Sequence, residues 1–124
     1  MANQAYRNTG GVQGMEASGV IRKYRLVKVS GDNTIAECDA EEASIGSSID
    51  AAGASGDVID VQVYGIAKVE AGGSVTAGDF VNADADGAVV SEAADAKNAS
   101  GIAIFGGDSG DIISVKLIDA VLSV

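Results

Sequence analysis

The chain has 124 residues, eight of them basic and eighteen acidic, for a net charge of −10, with no His, Pro or Trp and a single Cys. That length fits one domain able to bury about 65–70% of the surface its unfolded chain exposes, so neither a disulfide nor a metal is needed to hold it. Without His the Ser-His-Asp, Cys-His and imidazole–zinc chemistries are excluded, and Cys38 alone offers neither an internal disulfide nor a soft-metal pair.

The charge is unevenly spread. Residues 1–30 carry five basic residues against Glu16 alone, whereas residues 31–124 carry three basic and seventeen acidic ones. An acidic body repels nucleic acid and anionic membrane, so partners of both kinds are excluded, and the basic leading segment suits docking onto protein.

In chain order, residues 1–19 mix Asn, Gln, Gly, Thr and Ser with isolated Tyr6, Val12 and Met15, and show no hydrophobic period. They are expected to form an extended arm. Neither they nor any later stretch reaches 18 apolar residues, so a signal peptide or membrane anchor is not expected, and the product should be soluble and intracellular. Val20–Val29 reads as a strand, Gly31-Asp32-Asn33 as a turn and Thr34–Cys38 as the returning strand. Asp39–Ala43 has the composition of one helical turn. Gly65–Glu70, Phe80–Ala83 and Ala88–Val90 read as further strands, the last two joined by an Asp-Gly turn at Asp84–Gly87; Ser91–Ala99 could hold a short helix.

A repeat is visible within this series. Ser55-Gly56-Asp57-Val58-Ile59-Asp60-Val61-Gln62-Val63 matches Ser109-Gly110-Asp111-Ile112-Ile113-Ser114-Val115-Lys116-Leu117 at a spacing of 54 (109 − 55). Ile45–Ile49 echoes Ser100–Ile104 with one residue of slippage, and Ala77-Gly78-Asp79-Phe80-Val81 is a third copy of the turn. Gly accepts positive φ and Asp bonds nearby amides, so each copy reverses the chain before an alternating strand. The repeats suggest two related β-lobes. The whole reads as an all-β domain, a small barrel or a sandwich, over residues 20–124, with seventeen Gly marking its turns.

No motif carries chemistry. Asp84-Ala85-Asp86-Gly87 opens like a calcium loop but has glycine fourth rather than sixth, and Asp95 where a bidentate Glu is required. Gly72-Gly73-Ser74 and Gly106-Gly107-Asp108 precede no helix and no Lys, which excludes phosphate cradles. Asp57/Asp60 and Glu41/Glu42 fall in turns or on solvent-facing strand positions. No catalytic residue, cofactor site or metal site is expected, and the chain is read as a non-enzyme.

The run Val61–Val81, with its Gly65-Ile66-Ala67-Lys68-Val69-Glu70-Ala71-Gly72-Gly73 and Ala77-Gly78-Asp79 segments, then Asp84–Gly87, Gly101-Ile102-Ala103 and Ser109–Leu117, resembles the capsid decoration (head cement) proteins of tailed phages. The resemblance spans residues 45–117. It implies a β-tulip-like barrel on the outer surface of the virion, synthesised in the host cytoplasm, that binds the major capsid protein and itself, as a homotrimer or a dimer, and stabilises the shell. Under that reading Asn3, Tyr6, Arg7, Val12 and Met15 of the arm, with Arg22, Lys23 and Arg25 behind it, are the expected partner contacts. The basic cluster could equally meet acidic residues of its own domain. Rival readings are another virion β-protein, such as a head-fibre or tail subunit, a ligand-binding barrel, which would want more than five scattered aromatics, and an enzyme relying on carboxylates or a cofactor.

Overall fold

A computed structural model of the chain describes residues 11–91 and 99–118. These form ten strands and no helix: β1 (Val12–Ala17), β2 (Leu26–Gly31), β3 (Thr34–Glu37), β4 (Gly46–Ser48), β5 (Val58–Gln62), β6 (Ile66–Glu70), β7 (Phe80–Ala83), β8 (Val89–Ser91), β9 (Gly101–Ala103) and β10 (Ile112–Leu117). Alternation dictates the faces. In β5 Ile59 and Val61 are buried while Val58 and Asp60 are exposed; in β6 Ala67 and Val69 are buried while Ile66 and Lys68 are exposed.

The first five strands close into a barrel in the order β1-β3-β2-β4-β5, and the last five form a sheet in the order β6-β10-β9-β7-β8. The two arrangements are copies of each other. Starts of corresponding strands differ by 54 or 55 residues (66 − 12 = 54; 101 − 46 = 55). The registers also correspond. Val12 opposes Gln62 as Ile66 opposes Lys116, and Leu26 opposes Ser47 as Phe80 opposes Ile102. The parallel pair Ala17–Ile35 that closes the barrel returns as a parallel bridge, Ala71–Val89, between the end strands of the second sheet. The repeat seen around Gly56 and Gly110 is thus part of a duplication covering both halves.

Each half has a core of its own, Ile21, Val27, Ile35, Ile59 and Val61 in the first, Val69, Val75, Val81, Val89, Ile113 and Val115 in the second. Leu26 and Cys38 belong to the first half by sequence but are buried in the core of the second. Burial of a Leu side chain contributes about 1.5–3 kcal/mol, so Leu26 is a substantial tie between the halves. Backbone bonds reinforce it: Leu26 N–H donates to Gly87 O (2.8 Å), Glu70 N–H to Tyr24 O (2.9 Å) and Glu41 N–H to Ala83 O (2.9 Å).

Three expectations change. The arm expected over residues 1–19 does not extend that far: Val12–Ala17 is β1, paired with β5 and β3, because its Met15 and Ala17 alternate inward and close the barrel. The strand expected over Val20–Val29 starts only at Leu26, because Tyr24 takes positive φ (61°), which no strand residue can hold. Asp39–Ala43 is a tight turn with Glu41 at φ 61°, its Glu42 N–H donating to Asp39 O, and not a turn of helix. The short helix expected at Ser91–Ala99 lies mostly outside the described residues.

Candidate functional site: turns, a basic loop and exposed sheet faces

The recurring Gly-Asp turn has a defined job. Gly56 N–H donates to Ala17 O and Ala17 N–H to Asp57 O; Gly110 and Asp111 grip Ala71 in the same way, and Gly78 and Asp79 grip Ala103. All six bonds measure 2.7–2.9 Å, and the three gripped alanines are buried. Within the turns the carboxylates of Asp57, Asp79 and Asp111 accept from amides three residues upstream, at Ala54, Thr76 and Asp108. These three acids shape the turns, bonding local amides as Asp does where the chain reverses.

A fourth grip sits at the basic loop. Tyr24 N–H donates to Ser48 O (2.8 Å) and Ser48 N–H to Arg25 O (2.9 Å), in the place where the second half has Gly78, Asp79 and Ala103. Arg22-Lys23-Tyr24-Arg25 is therefore a replaced copy of Thr76-Ala77-Gly78-Asp79. The Ser48 hydroxyl ties the loop together, accepting from Arg25 N–H and donating to Arg22 O.

The basic residues meet acidic partners in their own chain. Arg22 forms a two-pronged pair with Glu37 (3.0 and 2.8 Å) and reaches the carboxylate of Asp86 at 3.7 Å. The Glu37 hydrogen bond holds the Arg22 guanidinium in its charged form more firmly than usual. Burial raises the Glu37 carboxyl, but the hydrogen bonds and charge of Arg22, with the charge of Arg25, outweigh it and leave it below its usual value. Arg25 is buried and spans the halves, 3.1 Å from Glu70 and 3.0 Å from Asp86 O. Lys28 pairs with Glu42 at 2.7 Å.

Of the expected contact residues, Asn3, Tyr6 and Arg7 lie outside the described residues. Met15 packs on the core of the first barrel, and Arg22 and Arg25 are engaged within the chain, so these three do not form a free docking patch. Val12 is exposed, and so is Lys23, whose ammonium stands 5.2 Å from the Tyr24 ring. Arg22 is exposed as well but is engaged with Glu37, so Val12 and Lys23 are the described members that face solvent outside an ion pair.

Sequence reasoning missed a different surface. The outward side of the second sheet carries exposed Ile66, Phe80 and Ile112, with Ile104 and Phe105 beside it. The signal was present in Ile66-Ala67-Lys68-Val69, where an aliphatic residue occupies the outward phase as well as the inward one. A groove of about 900 Å³ runs between the halves, bordered by Lys28, Ile45, Tyr64, Ser100, Lys116 and Leu117. Among the described residues no group of three acidic, Cys or His side chains could hold a metal ion. Cys38 is buried, and burial first, then the Glu42 charge, pushes its thiol up to about 12, which keeps it from acting as a nucleophile.

No family model and no curated protein matches the chain. Among solved structures it is similar to the N base of the head fibre gp8.5 of bacteriophage phi29, with a TM-score of 0.73 and 20% identity over 90% of this chain and 97% of that one. What the two share is the fold. The likeness runs nearly end to end, so it covers both halves of the duplication.

Proposed function

We propose that this chain is a non-enzymatic structural protein of a phage virion, mounted on the outside of the head. The observation that carries the reading is the near-complete overlap of its fold with the base of a phage head fibre. Two further features support it: the carboxylates of Asp57, Asp79 and Asp111 are spent on turns, and the thiol is buried. In its finer form the protein binds where major capsid subunits meet and cements them, as a homotrimer or a dimer. Asn3, Tyr6 and Arg7 contact the shell, and Val12 and Lys23 lie at the edge of that contact. Weak single contacts suffice there, because many copies act on one lattice.

The fold of a fibre base favours a second reading, in which the chain seats a longer appendage on the head. Co-sedimentation with expanded, undecorated phage capsids, imaged by electron microscopy, tests the general proposal. Saturable occupancy at fixed symmetry positions supports it and reports trimer or dimer; absence of binding to any such capsid sinks it. Heating loaded and bare capsids separates the two forms, since cementing raises the temperature at which shells open and a fibre seat leaves it unchanged. Deleting residues 2–10 should abolish occupancy. A deletion to residue 19 is the wrong test, because it removes β1 from the barrel.

A further inference from the structure

The duplication gives this molecule two corresponding outward faces, and their charges have diverged. On the first, β1 and β5 present Val12, Gly14 and Glu16 beside Val58, Asp60 and Gln62. On the second, β6 and β10 present Ile66, Lys68 and Glu70 beside Ile112, Ser114 and Lys116. The registers are the same, with Glu16 opposite Val58 as Glu70 is opposite Ile112. The exposed aliphatic pair is common to both faces: Val12 and Val58 at 39% and 71% exposure, Ile66 and Ile112 at 60% and 46%.

The charged positions differ. Gly14 corresponds to Lys68, Asp60 to Ser114 and Gln62 to Lys116. Glu16 and Glu70 correspond, but Glu70 is held by Arg25 at 3.1 Å. One face therefore offers Glu16 and Asp60 around two valines, and the other Lys68 and Lys116 around two isoleucines. Among the described residues none of these four charges forms an ion pair. The contact between the halves reaches the edge of the second face, through the Arg25–Glu70 pair, Glu70 N–H on Tyr24 O and the Ser47 hydroxyl on Lys68 O (2.7 Å), but the side chains of Ile66, Lys68, Ile112 and Lys116 stay exposed.

We infer that the β1–β5 face of one copy of this chain docks on the β6–β10 face of a second copy. Opposite charges steer the two faces together and fix their register, while the aliphatic pairs supply the area removed from water. Pairing of like faces would set Glu16 and Asp60 against themselves, or lysines against lysines, so the contact runs head to tail. Such an interface closes into a ring or continues as a fibre according to the rotation between copies. The contact depends on this chain alone, so it stands apart from the capsid reading. A failure to bind shells leaves it untouched.

Sedimentation velocity on the full chain tests it. The expected result is a mass that rises above the monomer with concentration at low salt and returns to the monomer at high salt, because surface charges are screened there. The double variant K68E/K116E should lose that association, as should E16K/D60K, and an equimolar mixture of the two should restore it. Thermal unfolding of each variant shows whether it folds. Lys116→Gln, which installs the residue that the first half carries at that position, gives a milder probe and should weaken association several-fold. Wild-type protein that stays monomeric at every concentration would overturn the inference, as would association that persists in both double variants.

Discussion

Tyr24 occupies in the first half of the molecule the position that Gly78 holds in the second, and both have positive φ, 61° and 94°. Each donates its N–H to a carbonyl of the equivalent strand, Ser48 for Tyr24 and Ala103 for Gly78. The backbone path is thus common to both halves although a bulky aromatic has replaced the residue best suited to it. A left-handed conformation costs an L-residue about 1–2 kcal/mol, which the bonds of Ser48 and the pairing of Arg22 and Arg25 hold in place.

Relief of that strain is measurable. Tyr24→Gly should stabilise the protein by about 1 kcal/mol, net of the added freedom of glycine in the unfolded chain. Gly78→Ala and Gly110→Ala should each destabilise it by about 1 kcal/mol. A Cβ at either glycine meets nothing within 4 Å, so the whole effect is conformational. Urea unfolding of the three variants checks both signs, and a destabilised Tyr24→Gly would mean that the Tyr24 ring contributes more than its backbone costs.

Arg25 and Glu70 join the halves at a site where the guanidinium side chain is only 10% exposed. Glu70→Gln leaves that cation with reduced compensation and should cost about 1–3 kcal/mol, less than the roughly 3–5 kcal/mol of a fully buried pair, because Glu70 itself is partly solvated. The loss should appear in the urea midpoint of the whole chain as one transition, since Leu26 already binds the two cores together.

Acid should loosen the basic loop. The Glu37 carboxyl is lower in the folded protein than its ordinary value of 4.5, so the pair with Arg22 contributes stability above pH 4.5 and loses it as pH falls through the depressed value. The urea midpoint of the wild type should therefore drop below pH 4.5, and that of Glu37→Gln should drop less steeply over the same interval while being lower at neutral pH. Equal acid slopes in the two proteins would refute the assignment.

Cys38 should be inert in the native state. With its thiol pushed up to about 12 by burial, it should resist a disulfide reagent at pH 8 and react fully in urea. Rapid native labelling would show that the contact between the halves opens readily, because Cys38 is packed in the core of the second half.

Part of this architecture was legible in the letters. Ser55–Val63 and Ser109–Leu117 retain Ser-Gly-Asp and the aliphatic alternation because positive φ and backbone capping constrain those residues locally. The wider duplication was not. β1 and β6 share only Glu16-Ala17 and Glu70-Ala71, while Gly14 has become Lys68 and Gln13 has become Ala67. The first strand, rich in small and polar residues, consequently reads as an arm. The basic loop reads either as a docking patch or as a partner for acids of its own domain, since Glu37, Glu70 and Asp86 come 12 or more residues later in the chain and nothing local announces their approach.

Local letters suffice for the all-β class, the Gly-Asp and Asp-Gly turns and the inward phase of strands such as Val58–Gln62, because φ preference and the two-residue period of a strand act over a few neighbouring residues. Tertiary structure alone decided that Val12–Ala17 closes a barrel, that Arg22 and Arg25 are spent inside the chain, that Leu26 fills the core of the opposite half, and that two corresponding faces carry opposite charge. Those outcomes depend on which distant strand becomes a neighbour, and the chain reveals that only when its non-local pairs have formed.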